Sequence, residues 1–236
     1  MFDSHESMAG IMPYLFGLPT YSVFVWLGIF AGIAYYMLDA KRKKSDEQSG
    51  LIIALAAIIS GMAGSKIPAF FETSDLEFIL YAKSIVGGFL GGLCGVILAK
   101  KLLKIKLKLG NIIAPAAALG MSIGRLGCFF NGCCYGIKAS WGFDFGDGYL
   151  RLPTQLFEAA FHLAAFLPLH YYKDKVKTPG ILFKLYVFCY FVFRFFTEFL
   201  REHQKIWLEM SIYQIICALG AMYLLWRIWR DLRHDV

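Results

Sequence analysis

Charge is what this sequence has least of. Only 17% of its 236 residues are Asp, Glu, Lys or Arg, and from Ser7 to Leu38 there is none at all. Soluble domains carry about 25% charged and about 45–50% apolar residues. Here 58% are hydrophobic and 17% aromatic, with a mean hydropathy of +0.56. Too little polar surface remains to cover a globule of 26.7 kDa in water. That excludes a disordered tail, a secreted disulfide module and a soluble nucleic-acid binder, despite a net charge of +7. The basic n-region of a cleavable signal is also missing, because the first residues carry Asp3 and Glu6. The first apolar run is therefore expected to stay as a helix. No internal repeat is present.

What is there suits a bilayer. Beyond Ser7–Leu38, charge-free stretches run over Ser49–Ser65, Ser84–Ala99, Leu109–Gly124, Ala159–Tyr172 and Met210–Trp226, and Thr178–Phe193 is broken only by Lys184. A membrane-crossing helix needs about 20 residues. The pattern predicts seven helices near 19–38, 51–71, 84–101, 111–130, 154–172, 180–200 and 209–228. The expected fold class is an all-α integral membrane protein of seven transmembrane helices, one domain over residues 1–236.

The loops set the expected orientation. Lys41, Arg42, Lys43 and Lys44 follow the first helix, and Lys100, Lys101, Lys104, Lys106 and Lys108 follow the third. Lys173, Lys175 and Lys177 follow the fifth, and Arg227, Arg230 and Arg233 close the chain. The segment before the first helix has no Lys or Arg, and the loop after the second reads Glu72, Asp75 and Glu77. Basic residues collect on the cytoplasmic side, so the N-terminus is expected outside and the C-terminus in the cytoplasm. The lysine loops then lie against the lipid bilayer's anionic headgroups, and no nucleic-acid partner is expected.

An ionisable group inside a membrane costs about 2.5–3.5 kcal/mol even on the lenient insertion scale. Arg194 and Glu198 stand four apart on the sixth helix, which puts them side by side as a pair. Arg201 and Glu202 extend that stripe toward the outer surface. Such a pair can be purely structural. Arg125 lies among Gly120, Gly124, Gly127 and Gly132, and its planar five-donor fork suits a lipid phosphate. Snorkelling to the interface is the plain alternative.

These residues carry a resemblance. Gly124-Arg125-x-Gly127-x-Phe129-x-Asn131-Gly132 resembles the signature of the prolipoprotein diacylglyceryl transferases. Tyr21, seven residues before Gly28, is similar to that family's tyrosine-led first span, and Gly91-Gly92-Leu93-x-Gly95-Val96 to its third-helix glycine motif. Arg151-Leu152-Pro153-Thr154-Gln155-Leu156-Phe157-Glu158-Ala159 matches another segment, and Tyr190, Arg194, Glu198, Phe199 and Arg201 its sixth-helix pattern. The likeness continues loosely to Ser211 and Gln214.

The resemblance implies transfer of the diacylglyceryl group of phosphatidylglycerol, or a similar phospholipid, to the cysteine of an exported prolipoprotein. This would occur at the outer leaflet of a bacterial cytoplasmic (inner) membrane. It implies that Arg125 binds the headgroup and that Arg194 and Glu198 shape a polar cavity and its proton network. Tyr21 and Tyr190 would hydrogen-bond that centre, with Asn131 and Arg201 beside it. Gln155 and Glu158 would fix the entry of helix five, with a structural role as the alternative. Three positions depart from the family pattern: Leu90 replaces a third-helix histidine, Cys128 an Asn and Cys133 a Glu. Of the five histidines, only His203 is expected near the cavity.

The cysteines divide. Cys94, Cys189 and Cys217 lie in apolar helices and read as small hydrophobes. Cys128, Cys133 and Cys134 cluster near the outer end of helix four, open to four readings: packing, a disulfide, a nucleophilic thiolate or a metal site. A metal would need a fourth ligand that this window does not supply, so no metal or cofactor is expected. A different acceptor on the same scaffold, a membrane thiol-redox protein using that trio, and a transporter or lipid-binding membrane protein without catalysis are the competing functions. The segment at about 131–153 is expected to form an outer-face loop. Trp141, Phe143, Phe145 and Tyr149 would lie at headgroup level and Gly142, Gly146 and Gly148 would make it mobile.

Overall fold

Runs of apolar residues free of charge satisfy their backbone groups best as helices, since lipid offers no hydrogen bonds. In the computed structural model, which describes residues 10–42, 47–67, 70, 85–105, 109–202, 205–207 and 210–234, they form seven α-helices among the described residues. These are α1 (Thr20–Arg42), α2 (Glu47–Gly64), α3 (Ile85–Leu102), α4 (Gly110–Asn131), α5 (Thr154–Tyr172), α6 (Ile181–Thr197) and α7 (Ile212–His234). Helix α5 has both of its expected ends. Helix α7 runs six residues past the expected 228. Arg227, Arg230 and Arg233 there lie over the rings of Tyr223, Trp226 and Trp229, four residues back, at 5.8, 5.0 and 3.6 Å, and stacking of this kind stabilises a helix end. Helix α6 stops three residues early, and a 3-10 turn, Glu198–Leu200, follows.

Among the described residues, three short antiparallel hairpins punctuate the helices: β1 (Tyr14–Leu15) with β2 (Leu18–Pro19), β3 (Lys138–Asp144) with β4 (Leu150–Arg151), and β5 (Lys205–Trp207) with β6 (Met210–Ser211). The all-α expectation did not include them. The β3–β4 hairpin occupies most of the expected 131–153 loop. Its turn is built by Asp144, whose carboxylate accepts from the amides of Gly146 at 2.8 Å and Gly148 at 3.1 Å. Both glycines have positive φ, +100° and +75°, so the turn uses them for shape.

The chain divides into two compact units, Met37–Leu109 and Met1–Tyr36 with Gly110–Val236. In the first, α2 packs on α3 through glycine. A Cβ on Gly91 would lie 2.7 Å from Gly64 Cα, closer than any side chain permits. Small residues in this spacing let helix backbones touch in a membrane. In the second, α4 packs on α5, α6 on α7 and α4 on α6. Asn111 of α4 bolts the start of α6: its Oδ1 accepts from Leu182 N at 3.1 Å, and its Nδ2 donates to Val176 O and Thr178 O.

The distribution of polarity is inverted relative to a water-soluble fold. Trp26, Phe30 and Phe196 are 67%, 73% and 63% exposed, whereas Arg125, Gln155, Glu158, His162, Arg194, Glu198 and Gln214 are buried. Thr20–Lys41, Gly110–Asn131 and Ile212–Arg233 are long and apolar enough to cross a membrane by length and composition. The chain is a membrane protein, and its polar residues face inward because lipid cannot solvate them.

Candidate functional site

The buried centre is built around Glu158, one turn into α5 and 0% exposed. Its two oxygens draw three guanidinium groups from three chain segments. Arg125 of α4 pairs with Oε2. Arg201, just past the 3-10 turn, reaches Oε1 at 2.7 Å, and Arg194 of α6 stands 3.8 Å from the same oxygen. Tyr190 donates its hydroxyl to Oε2 at 3.4 Å. A carboxylate this deep is tolerable only when paired and hydrogen-bonded, and Glu158 is both.

Glu198 forms the second half. Arg194 Nη2 lies 2.6 Å from its Oε2, and Ser211 Oγ donates to Oε1 at 2.9 Å. Gln214 accepts from Ser211 N at 2.9 Å and donates to Phe195 O at 3.4 Å, which ties the start of α7 to α6. The four-residue spacing of Arg194 and Glu198 thus gives the expected pair. Among the described residues the centre holds three arginines against two carboxylates, an excess of one positive charge.

The start of α5 also holds the end of α4. Thr154 Oγ1 donates to Cys134 O and Gln155 Nε2 to Cys133 O, each at 2.8 Å. Gly132 ends α4 at φ +71° and Cys134 follows at φ +63°, a conformation uncommon outside glycine. This turn brings the sulfurs of Cys128, Cys133 and Cys134 within 4.8 Å of one another. Arg125 Nη1 stands 3.7 Å from Cys128 Sγ, so the thiols border the arginine centre. All three cysteines are free.

Arg125, Arg194, Glu198, Tyr190, Glu158 and Arg201 therefore come together as one network. Tyr21 is half-buried on α1, which crosses α4 at Gly127; a Cβ there would lie 3.2 Å from the Tyr21 carbonyl oxygen. Gln155 holds the cysteine turn through Cys133 O. Asn131, the last residue of α4, is half-buried and is not drawn into the Glu158 cluster among the described residues.

Several expectations change. Glu158 is the hub of the centre rather than only the entry of α5. Arg201 leaves the stripe of Arg194 and Glu198, because the 3-10 turn ends in extended backbone at φ −124°, ψ 148°, and this swings its side chain back to Glu158. Glu202 is instead exposed and pairs with Arg151 at 3.2 Å. Phe145 is buried, not at the headgroups, stacked on Tyr135 at 5.2 Å and edge-on to Phe129. His203 lies outside the described residues, as do Lys43, Lys44, Glu72, Asp75, Glu77, Lys106 and Lys108. The histidine at the centre is His162, 0% exposed, bonded to Tyr186 OH at 2.8 Å and stacked on Tyr190 at 5.1 Å. Its position four residues after Glu158, on the same helix face, was the available signal.

The hairpin covering this end is fastened by Arg151, buried on β4, which donates to Asp147 Oδ2 at 2.5 Å and to Gly136 O at 3.4 Å. Partial burial is the largest single influence on the Asp147 carboxyl and pushes it up, but the hydrogen bond and charge of Arg151 and the backbone hydrogen bonds together outweigh it and hold the group below its ordinary range. The backbone N–H of Tyr149, which also donates to Asp147, acts in the same direction.

A family profile described as Prolipoprotein diacylglyceryl transferase matches residues 11–230 of the chain. A protein of Clostridium perfringens named phosphatidylglycerol–prolipoprotein diacylglyceryl transferase 2 is 30% identical over 217 residues, covering 83% of this chain and 84% of the relative. One of Pseudoalteromonas atlantica, named phosphatidylglycerol–prolipoprotein diacylglyceryl transferase, is 31% identical over 243 residues, 93% and 85% of the two. A relative of the same name in Geobacter sulfurreducens is 40% identical over 124 residues, 48% of each.

Proposed function

The chain belongs to the prolipoprotein diacylglyceryl transferase family, and from that premise we propose that it moves the diacylglyceryl group of phosphatidylglycerol to the cysteine thiol of an exported prolipoprotein. The observation that carries the reading is the excess positive charge of the buried centre. A desolvated guanidinium without a carboxylate of its own favours an anionic ligand strongly. A phospholipid phosphate supplies that charge and arrives from the surrounding lipid.

In the reaction the acceptor sulfur forms a bond to the glyceryl carbon while the carbon–oxygen bond to phosphate breaks. Glycerol phosphate leaves with the electron pair. Arg125, with Arg201, holds the phosphate and meets the charge that develops on the departing oxygen. Glu158 orients the three arginines and is too engaged with them to accept a proton. Glu198, bonded to one arginine and to Ser211, is the carboxylate we assign to carry the thiol proton away. Tyr190 and Tyr21 donate hydrogen bonds to the centre, Asn131 lies at its rim, and Gln155 keeps the cysteine turn in place.

The same reading makes the whole chain one transferase in the bacterial cytoplasmic membrane, with seven spans, the N-terminus outside and the C-terminus in the cytoplasm. The alternating basic loops and the position of the arginine centre near the N-terminal end of α5 support this arrangement. The test is transfer of a labelled diacylglyceryl group from phosphatidylglycerol to a lipobox peptide by purified protein, beside Arg125→Ala. Wild-type transfer that the variant loses is the expected result. Transfer that survives Arg125→Ala overturns the assignment of Arg125, and none from folded wild type overturns the function.

A further inference from the structure

Cys128, Cys133 and Cys134 are not used by the chemistry above, yet their sulfurs converge. All three lie within 4.8 Å of one another, on a turn whose two carbonyls are pinned from α5 by Thr154 and Gln155. Thiolates around one zinc-like ion at about 2.3 Å would stand roughly 3.8–4.0 Å apart, so closing the triangle needs shifts of an ångström or less. A disulfide would use two of the sulfurs and leave the third beside it. Packing alone does not explain three thiols converging in a membrane protein whose other three cysteines are scattered singly over α3, α6 and α7.

We propose that Cys128, Cys133 and Cys134 form a binding site for one thiophilic divalent cation of the zinc class. The cation replaces the thiol protons, which pass to solvent, and three thiolates around it carry one net negative charge. Arg125 Nη1, 3.7 Å from Cys128 Sγ, borders the site. A structural site needs a fourth protein ligand. Three ligands leave one tetrahedral position to an external group, the arrangement of sites where the metal acts on what it binds. Cys128 is buried, whereas Cys133 and Cys134 are partly exposed, so the site can be reached.

The site stands independently of the transferase reading, and its test reads no activity. Fully reduced protein in detergent is titrated with cadmium chloride while the sulfur-to-cadmium charge-transfer band is followed in the ultraviolet. Alkylation of the six cysteines is then counted by mass spectrometry with and without cadmium. A band saturating at one equivalent, with Cys128, Cys133 and Cys134 protected together, is the expected result. Cys133→Ser loses both signals, and the Cys94→Ser/Cys189→Ser double variant keeps them. The wild-type titration and protection count need no variant to fold. No saturable band, protection outside the trio, or protein purified without reductant carrying a disulfide within the trio overturns the proposal.

Discussion

Glu158→Gln removes one negative charge and almost no volume, which isolates electrostatics from packing. In the wild type the carboxylate pairs with Arg125, accepts from Arg201 at 2.7 Å and faces Arg194 at 3.8 Å, fully buried. The amide leaves the centre with three arginines against Glu198 alone, so the excess charge rises from one to two. Stripping one partner from a buried ion pair costs about 3–5 kcal/mol. For a chain of this length that is a fall of roughly 6–20 °C in melting temperature. The sign of the lipid response is the sharper prediction. A centre with greater positive excess gains more from an anionic headgroup, so phosphatidylglycerol should restore more stability to the variant than to the wild type. Phosphatidylcholine should restore none. Tryptophan-fluorescence melting in one detergent, with either lipid added, reads both effects. A variant that melts within a degree or two of wild type, or responds equally to the two lipids, would refute the assignment of Glu158 as hub of a charged centre.

Further perturbations test the frame around it. Gly91→Leu places a side chain where a Cβ alone would lie 2.7 Å from Gly64 Cα; separating α2 from α3 should cost at least about 1–3 kcal/mol, seen as a lower melting temperature, while Leu90→Ala on the same helix, half-exposed, should cost under 1 kcal/mol. Asp147 titrates below its ordinary range in the fold, so its bond to Arg151 contributes stability above the unfolded carboxyl value of about 3.9. That contribution is lost as pH falls through the lower folded value. The protection factors of the β3–β4 amides, taken relative to intrinsic exchange at each pH, should fall on acidification below about pH 4, and Asp147→Asn should remove that fall, at a cost of about 1 kcal/mol or less for so exposed a pair. Hairpin protection factors that do not change with pH in the wild type would contradict the Arg151–Asp147 fastening.

The seven helices of the described residues were readable because charge-free apolar runs mark where the backbone bonds to itself, and α5 needed no adjustment at either end. The pair Arg194–Glu198 was equally local, since four residues return a helix to the same face. What the spacing did not carry was convergence across elements. Glu158, Arg125 and Arg201 meet only because α4 packs on α5 and the 3-10 turn after Thr197 redirects the chain. His162 was passed over because its one local signal, the four-residue spacing from Glu158, gains meaning only once Glu158 itself is known to be buried. Phe145 had a headgroup expectation from composition, but Phe129 and Tyr135 offer it a ring cluster instead. Among the loop glycines, Gly146 and Gly148 shape the turn at Asp144, a role that composition alone did not carry.

The most direct test of the account is the intact mass of a synthetic lipobox peptide after incubation with the purified protein and phosphatidylglycerol in liposomes. The peptide should gain one diacylglyceryl group on its cysteine sulfur, with glycerol phosphate released in equal amount, and Arg125→Ala should abolish both products. A peptide of unchanged mass, from wild-type protein whose melting curve shows it folded, would contradict it.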